Sequence, residues 1–281
     1  MTESLRILHL SDTHLRGDGG LHYGLVDTLT ALDRVLERAA TLAAVDVIAL
    51  SGDLSDDGST ASYQLLAGRI EPWAAERGAS VVYAMGNHDL PDGFEEVLGE
   101  RERVVERDGF RVVSVDTSVA GAGYGRVAGE RLERLRDVLA SPSEHGTVVV
   151  LHHPPVPPST GLFETLRLVD PEPLLDVCTA ADVRLILAGH YHHALITAAG
   201  PRGIPVVVAP AVANTTDVLW PAGRDRAVRG SGFAALQLPV AGAPRIHVIT
   251  APDEHDGETV YDLDAEAVAR IAAASGWTGQ A

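Results

Sequence analysis

The chain has 281 residues, of which 46% are hydrophobic, and its 22 basic and 39 acidic residues give a net charge of −17. This length can bury a substantial core, whereas the acidic balance argues against a nucleic-acid polymer as partner, since such binders carry a basic patch. The single cysteine, Cys178, excludes an internal disulfide. We recognise no secretory signal and no apolar run of the roughly 20 residues that span a membrane, so we expect a cytoplasmic protein.

Short apolar runs alternate with segments of helical periodicity over the first two thirds of the chain, and this alternation predicts an α/β fold. The predicted strands are Leu5–Leu10, Asp46–Leu50, Ser80–Tyr83, Arg111–Val115, Thr147–Leu151 and Arg184–Leu187. Apolar stripes of period 3.6 predict helices over Val26–Ala40, Thr60–Arg77 and Glu130–Ala140.

The last third of the chain has a different pattern. Gly and Pro clusters separate Ile204–Val208, Phe233–Leu238 and Arg245–Ile249 without a helix between them. Such spacing predicts antiparallel strands that close a second sheet. An acidic stretch, 252–258, then leads to a segment of helical composition, Asp262–Ala274.

Polar residues follow five of the predicted strands, at the edge where open α/β sheets place their ligand sites. They are Asp12 and His14; Asp53; Asn87, His88 and Asp89; His152; and His190 and His192. Each has an ordinary alternative explanation as a helix cap, a turn residue or a buried imidazole. Five such coincidences at the same edge of one sheet would be needed, however, and buried carboxylates require a partner.

Metal coordination supplies that partner. Four histidines, two aspartates and one asparagine without a thiolate suit Mn, Fe, Zn or Co, whereas a structural zinc site favours cysteine. Seven ligands are too many for one tetrahedral ion. If one aspartate bridges, they form two four-ligand sites, as in hydrolases whose metals lie about 3.5–4 Å apart.

The motif blocks in their order resemble those of the calcineurin-like metallophosphoesterases over residues 5–195. These blocks are Asp12-Thr13-His14, Gly52-Asp53, Gly86-Asn87-His88-Asp89, His152-His153 and Gly189-His190-Tyr191-His192. The resemblance implies a four-layer αββα sandwich of two mixed β-sheets flanked by helices. It also implies a catalytic domain at 1–251, followed by an acidic linker and helical extension at 252–281.

The resemblance further implies two metal ions, iron and manganese, with zinc or cobalt as alternatives. The first ion would be held by Asp12, His14 and His192, and the second by Asn87, His152 and His190. Asp53 would bridge them, and a hydroxide between the metals would attack phosphorus in line.

Other residues of these motifs receive roles by the same resemblance. His88 would stabilise the transition state or protonate the leaving alkoxide, a role suited to an imidazole. Asp89 would orient His88 or support its loop. Asn87 and His88 are also candidates for substrate contact, as are His22 and Tyr23, which follow the first motif.

Within this family, the chain is most similar to the bacterial class III cyclic nucleotide phosphodiesterases. The similarity lies in the compact length, the Asp-Thr-His-Leu opening, the Gly-Asn-His-Asp block and the His-His-Pro-Pro-Val-Pro loop. This similarity implies hydrolysis of 3′,5′-cyclic nucleotides such as cAMP to 5′-monophosphates. The alternatives are other small diesters (2′,3′-cyclic nucleotides or glycerophosphodiesters) and a non-catalytic scaffold. The oligomeric state stays open between monomer and homodimer.

The glycine-rich segment 121–125 lacks the spacing of a dinucleotide loop, and we expect a flexible connection there.

Overall fold

The computed structural model describes residues 4–277. Residues 1–3, which begin the predicted catalytic domain, and residues 278–281, which end the predicted helical extension, lie outside the described residues. Elements are numbered along the chain, and the helices are α1 (Thr28–Ala39), α2 (Thr60–Arg77), α3 (Pro91–Leu98), α4 (Glu130–Val138), α5 (Gly161–Leu166), α6 (Glu172–Ala180) and α7 (Ala265–Ser275). Within 4–277, none of these helices has both the length and the hydropathy needed to cross a bilayer.

Two mixed sheets form the centre of the molecule. The first has the strand order β15 (Arg245–Thr250), β14 (Gly232–Pro239), β1 (Ser4–Leu10), β2 (Val47–Ser51) and β3 (Ser80–Ala84). The second has the order β10 (Leu195–Ala199), β11 (Ile204–Val208), β9 (Val183–Ala188), β7 (Thr147–Val150), β5 (Phe110–Ser114) and β4 (Val104–Arg107). Two small sheets pair β12 (Thr215–Thr216), β13 (Asp225–Val228) and β16 (Thr259–Leu263), and β6 (Gly125–Arg126) with β8 (Leu168–Val169).

The pleat of the strands explains how the layers stack. Successive side chains of a strand point to opposite faces. In β1, Leu5 and Ile7 pack between the two sheets, whereas Leu8 and Leu10 pack against the helices that cover the first sheet. A separate apolar cluster joins the second sheet to α4, α5 and α6. The expected four-layer αββα sandwich is therefore confirmed.

The late strands do not close one antiparallel sheet, and this part of the sequence prediction is wrong. Strands β14 and β15 extend the first sheet antiparallel from β1, whereas β11 joins the second sheet parallel to β9. Both sheets offer an apolar strand edge for pairing. A run of apolar residues alone does not specify which of two such edges it joins.

The C-terminal segment is packed against the rest of the fold. Strand β16 pairs antiparallel with β13. The helix begins at Ala265 because the Asp264 side chain caps it, accepting the amide of Ala267 at 2.8 Å. The division of the chain at residue 251 stays a prediction.

Candidate metal centre

The topology brings the polar motif residues to one edge of the sandwich. Strands β1, β2 and β3 run parallel in the first sheet, and β7 and β9 run parallel in the second. The loops that follow these five strands carry every predicted metal ligand. Because both sheets present the carboxyl ends of these strands at the same edge, the ligands converge between them.

The backbone at this edge is strained. Five predicted ligands adopt positive φ: Asp12 (52°), His14 (43°), Asp53 (49°), His190 (71°) and His192 (52°). Non-glycine residues rarely take this left-handed conformation, which costs roughly 1–3 kcal/mol each. Loop hydrogen bonds maintain it, such as the Asp12 amide to the Gly52 carbonyl at 3.0 Å. Such clustering of strain is typical of functional sites.

Two motif glycines allow the loops to approach each other. A Cβ atom on Gly86 would overlap the amide nitrogen and Oδ1 of Asp53, and one on Gly189 would overlap Oγ of Ser11 and lie 2.7 Å from Oδ2 of Asp12. These positions therefore require glycine so that the metal-ligand loops can pack closely.

The first group of predicted ligands gathers around two imidazole nitrogens. Nε2 of His14 lies 3.2 Å from Nε2 of His192. The His192 nitrogen is 3.4 Å from Oδ1 of Asp12, and the His14 nitrogen is 3.7 Å from Oδ2 of Asp53. The structure thus brings Asp12, His14 and His192 together beside Asp53.

The second group gathers around Nε2 of His152. This nitrogen lies 3.1 Å from Oδ1 of Asn87, 3.2 Å from Nδ1 of His190 and 3.3 Å from Oδ2 of Asp53. The same oxygen of Asp53 therefore faces both groups. This is the position that a bridging carboxylate would take.

The remaining ring nitrogen of each histidine faces an acceptor outside the centre. These pairs are His14 Nδ1 with Asp56 Oδ1 at 3.3 Å, His152 Nδ1 with the Ser51 carbonyl at 2.8 Å, His190 Nε2 with the Leu166 carbonyl at 2.9 Å, and His192 Nδ1 with Asn214 Oδ1 at 3.1 Å. A proton on each outer nitrogen satisfies these acceptors and leaves the lone pair of the inner nitrogen directed into the centre. Metal-ligating histidines are oriented in this way, so these residues fit a bound metal.

The buried carboxylates of the metal centre need a positive charge nearby. Asp12 and Asp53 are buried, and within residues 4–277 no arginine lies at ion-pair distance from either. Burial opposes charge on His152, but Asp53 outweighs it and raises the pKa of His152 to about 9. Burial likewise opposes charge on Asp53, yet His152 and His88 hold its pKa well below the usual range. The carboxylates thus require a cation, which protonated imidazoles or metal ions can supply.

His88 and Asp89 occupy different environments although they are adjacent. The His88 side chain is 45% exposed and lines the cavity, while its amide donates to Oδ1 of Asp53 at 2.8 Å. Asp89 is buried and accepts from the amides of Ser55 at 2.9 Å and Gly86 at 2.8 Å. Of the two roles predicted for Asp89, these contacts favour support of the loop.

Sequence reasoning missed Asp56, which joins several of the histidines. Its Oδ1 lies 3.0 Å from Nδ1 of His22 and 4.0 Å from Nδ1 of His88, in addition to its contact with His14. The second aspartate of Gly-Asp-Leu-Ser-Asp was the available signal. His22 is buried beside His14 and Tyr23 is exposed, and both line the cavity.

His153 was given no role from the sequence, and the structure buries it behind the second group. Its Nδ1 lies 2.7 Å from Oγ1 of Thr117, and its Nε2 lies 3.1 Å from the carbonyl of Gly123. Both ring nitrogens of His153 therefore have hydrogen-bond partners outside the centre. The glycine-rich segment around Gly123, expected to be a flexible connection, is hydrogen-bonded to this histidine.

The centre opens into a cavity of about 450 Å³. His14, Asp53, Asn87, His190 and His192 line its polar side, with His88 at the same wall. A cavity of this volume accommodates a small organic ligand.

Three known proteins are similar to this chain in sequence or in fold. A probable cyclic nucleotide phosphodiesterase of Rhodococcus erythropolis is 42% identical over 80% of this chain and 76% of its own. A cAMP/cGMP dual specificity phosphodiesterase of Mycobacterium tuberculosis is 40% identical over 80% of this chain and 73% of its own. Among solved structures, purple acid phosphatase from yellow lupin seeds shares the fold with a TM-score of 0.64 at 15% identity, and this chain spans 57% of its length.

The family model for calcineurin-like phosphoesterases matches residues 5–194. That range contains all five motif blocks and every ligand that converges in the centre. The chain therefore belongs to the calcineurin-like phosphoesterase family.

Proposed function

We propose that this protein is a phosphodiesterase that hydrolyses 3′,5′-cyclic nucleotides, cAMP among them, to 5′-nucleoside monophosphates at a binuclear metal centre. Asp12, His14 and His192 would hold one ion, and Asn87, His152 and His190 would hold the other. Asp53, which faces both groups, would be their shared ligand. Iron and manganese are the ions we expect, with zinc or cobalt as alternatives, and imidazole, carboxylate and amide ligands suit all four.

One observation carries the proposal. Four imidazoles, each with its outer nitrogen beside a hydrogen-bond acceptor, bring their inner nitrogens to one centre that holds two buried carboxylates. The inner nitrogens of His14, His152 and His192 lie 3.3–3.7 Å from a carboxylate oxygen, and that of His190 lies 3.2 Å from the His152 nitrogen. A non-catalytic scaffold of this fold has no need for such an arrangement. The similarity to two relatives named as cyclic nucleotide phosphodiesterases, each across 80% of this chain, supports the substrate.

The chemistry divides between the metal ions and the side chains around them. When bound, the ions lower the pKa of water and offset negative charge on the phosphoryl oxygens. Asn87 donates its amide to one of those oxygens. Water adds to phosphorus as the bond to O3′ breaks, and the proton that the water loses passes to solvent. His88 at the cavity wall delivers a proton to the leaving oxygen and regains one from solvent. Asp53 fixes the backbone of His88 by accepting its amide.

The identity of the product tests this assignment. The full chain is loaded with Mn²⁺ and incubated with 3′,5′-cAMP, and the products are separated by chromatography. We expect 5′-AMP as the only product. Accumulation of 3′-AMP would show that the bond to O5′ breaks instead, and would contradict the role of His88 as donor to O3′. If cAMP is not hydrolysed but glycerophosphodiesters or 2′,3′-cAMP are, the proposed substrate is wrong and the hydrolysed diester takes its place. The cytoplasmic location and the choice between monomer and homodimer stay predictions.

A further inference from the structure

The C-terminal segment contributes one wall of the cavity that contains the metal centre. Tyr261 and Leu263 of β16 and Ile271 and Ser275 of α7 line the same cavity as His14 and the other polar residues. None of the five motif blocks includes this segment. It follows that the cavity is incomplete without a part of the chain to which the motifs give no role.

Local sequence explains how α7 comes to lie there. Val268, Ile271, Ala272 and Ser275 form a stripe at i, i+3, i+4 and i+7, and all four are partly buried. Helix α7 packs against α5. The helix as a whole has no fully buried residue, so its position depends on what holds its ends.

Its C-terminal end is anchored to the body of the protein by backbone hydrogen bonds. The Gly123 amide donates to the Ser275 carbonyl at 2.7 Å, and the Trp277 amide donates to the Thr165 carbonyl at 2.7 Å. The Trp277 ring meets the ring of Tyr124 edge to face, with centroids 5.3 Å apart. These contacts hold α7 over the cavity in one position.

The wall beside α7 is also apolar. Leu162, Phe163 and Leu166 of α5 line the cavity, and the Phe163 ring lies 5.1 Å from the ring of His190. The cavity therefore has a polar half at the metal centre and an apolar half between α5 and α7. A phosphate group alone would occupy only part of it. The shape and chemistry suit a ligand with an anionic group at one end and a flat apolar body at the other.

We propose that the apolar wall of α5 and α7, with Leu166 and Ile271 as its contacts, is the subsite that binds the nucleobase of the substrate. This inference rests on the proposed function, which supplies a nucleotide as the ligand. The phosphodiester lies at the polar half, and the base packs between the two helices. Ile271 is then a specificity-determining residue far from the motif blocks.

Two ligands that differ only in the base test this subsite. Binding of 5′-AMP and of ribose 5-phosphate to the Mn²⁺-loaded full chain is measured by calorimetry. We expect 5′-AMP to bind about tenfold more tightly or better, because ribose 5-phosphate leaves the apolar half empty. Ile271→Ala should reduce this ratio severalfold, while the affinity for ribose 5-phosphate and the Mn²⁺ content stay unchanged. Leu166→Ala, which keeps the backbone carbonyl that accepts from His190, should reduce the ratio as well.

Val268→Ala is the matched control, because Val268 lies on the same stripe of α7 but does not line the cavity. It should leave the ratio unchanged. Leu166 lies on α5. If Ile271→Ala unfolds α7, the Leu166→Ala variant therefore still tests the subsite. Equal binding of the two ligands by the wild type, or a ratio that neither variant changes, would overturn the subsite. Failure to hydrolyse cAMP with a base-dependent ratio retained would instead overturn the proposed function alone.

Discussion

The Oδ1 atom of Asp56 lies 3.3 Å from Nδ1 of His14 and thereby fixes which nitrogen of that imidazole faces the metal centre. Burial opposes the charge of Asp56, but His14 and His22 outweigh it and lower its pKa well below the ordinary value. Asp56 is therefore an anion under ordinary conditions. It acts on the centre through the histidines that it orients.

Asp56→Ala should weaken Mn²⁺ binding about 10–100-fold, because loss of an outer partner frees the ring of a ligating histidine. Asp56→Asn keeps an acceptor oxygen at this position and should be milder. Calorimetric titration with Mn²⁺ measures both. Asp18→Ala, at an exposed residue of the neighbouring loop, is the control, and wild-type affinity in Asp56→Ala would refute this positioning role.

Asp53→Asn should reduce the Mn²⁺ stoichiometry below two per chain, because one oxygen of Asp53 faces both ligand groups. Metal that binds only the folded state stabilises it, by about 2.7 kcal/mol at 100 times Kd. The rise in Tm with added Mn²⁺ should therefore be smaller in this variant than in the wild type. Two tightly bound ions in Asp53→Asn would show that Asp53 does not bridge.

Gly189→Ala should lower both stability and metal content, because the new Cβ would overlap Ser11 and approach Asp12. Overpacking of this kind costs roughly 1–3 kcal/mol. Gly68→Ala is a matched control in α2, where a Cβ meets nothing within 4 Å, and it should stabilise slightly. Denaturant unfolding with parallel metal analysis separates the two effects. Unchanged metal content in Gly189→Ala would show that the loops of Gly189 and Asp12 can move apart without loss of metal binding.

Asp89→Asn should destabilise the fold by about 1–3 kcal/mol, since an amide nitrogen would replace an oxygen that accepts backbone amides. Oδ1 accepts from Ser55 and Oδ2 from Gly86, so one donor loses its acceptor in either orientation of the new side chain. Asp92→Asn, at an exposed residue of α3, is the control. Wild-type stability with reduced kcat would instead indicate that Asp89 acts in catalysis through His88.

His88→Ala should lower kcat for cAMP about 10²–10⁴-fold through loss of the proton donor, with two metal ions retained. The side chain is 45% exposed, so its removal leaves no buried void. Metal analysis and steady-state kinetics on the same preparation check both parts. Loss of both ions in this variant would mean that His88 is a ligand.

The sequence predicts the metal centre better than it predicts the cavity around it. Asp12 and Asp53 follow neighbouring parallel strands of the first sheet, and parallel strands bring their carboxyl ends to one edge whatever lies between them. His152 follows a strand of the second sheet, so the expectation of one sheet edge is wrong, and its place beside the aspartates depends on how the two sheets pack. Ile271 and Leu263 give no such signal, because their place beside the centre depends on the pairing of β16 with β13 and on the packing of α7 against α5. These are tertiary contacts between distant segments.

The central claim is tested most directly by kcat/KM values measured on one Mn²⁺-loaded preparation. The substrates are 3′,5′-cAMP, 2′,3′-cAMP, bis(p-nitrophenyl) phosphate and a glycerophosphodiester. We predict the highest value for 3′,5′-cAMP among the natural diesters, and loss of turnover when Mn²⁺ is removed by chelation. Turnover of none of the diesters, or turnover of cAMP that survives complete removal of metal, would contradict the account.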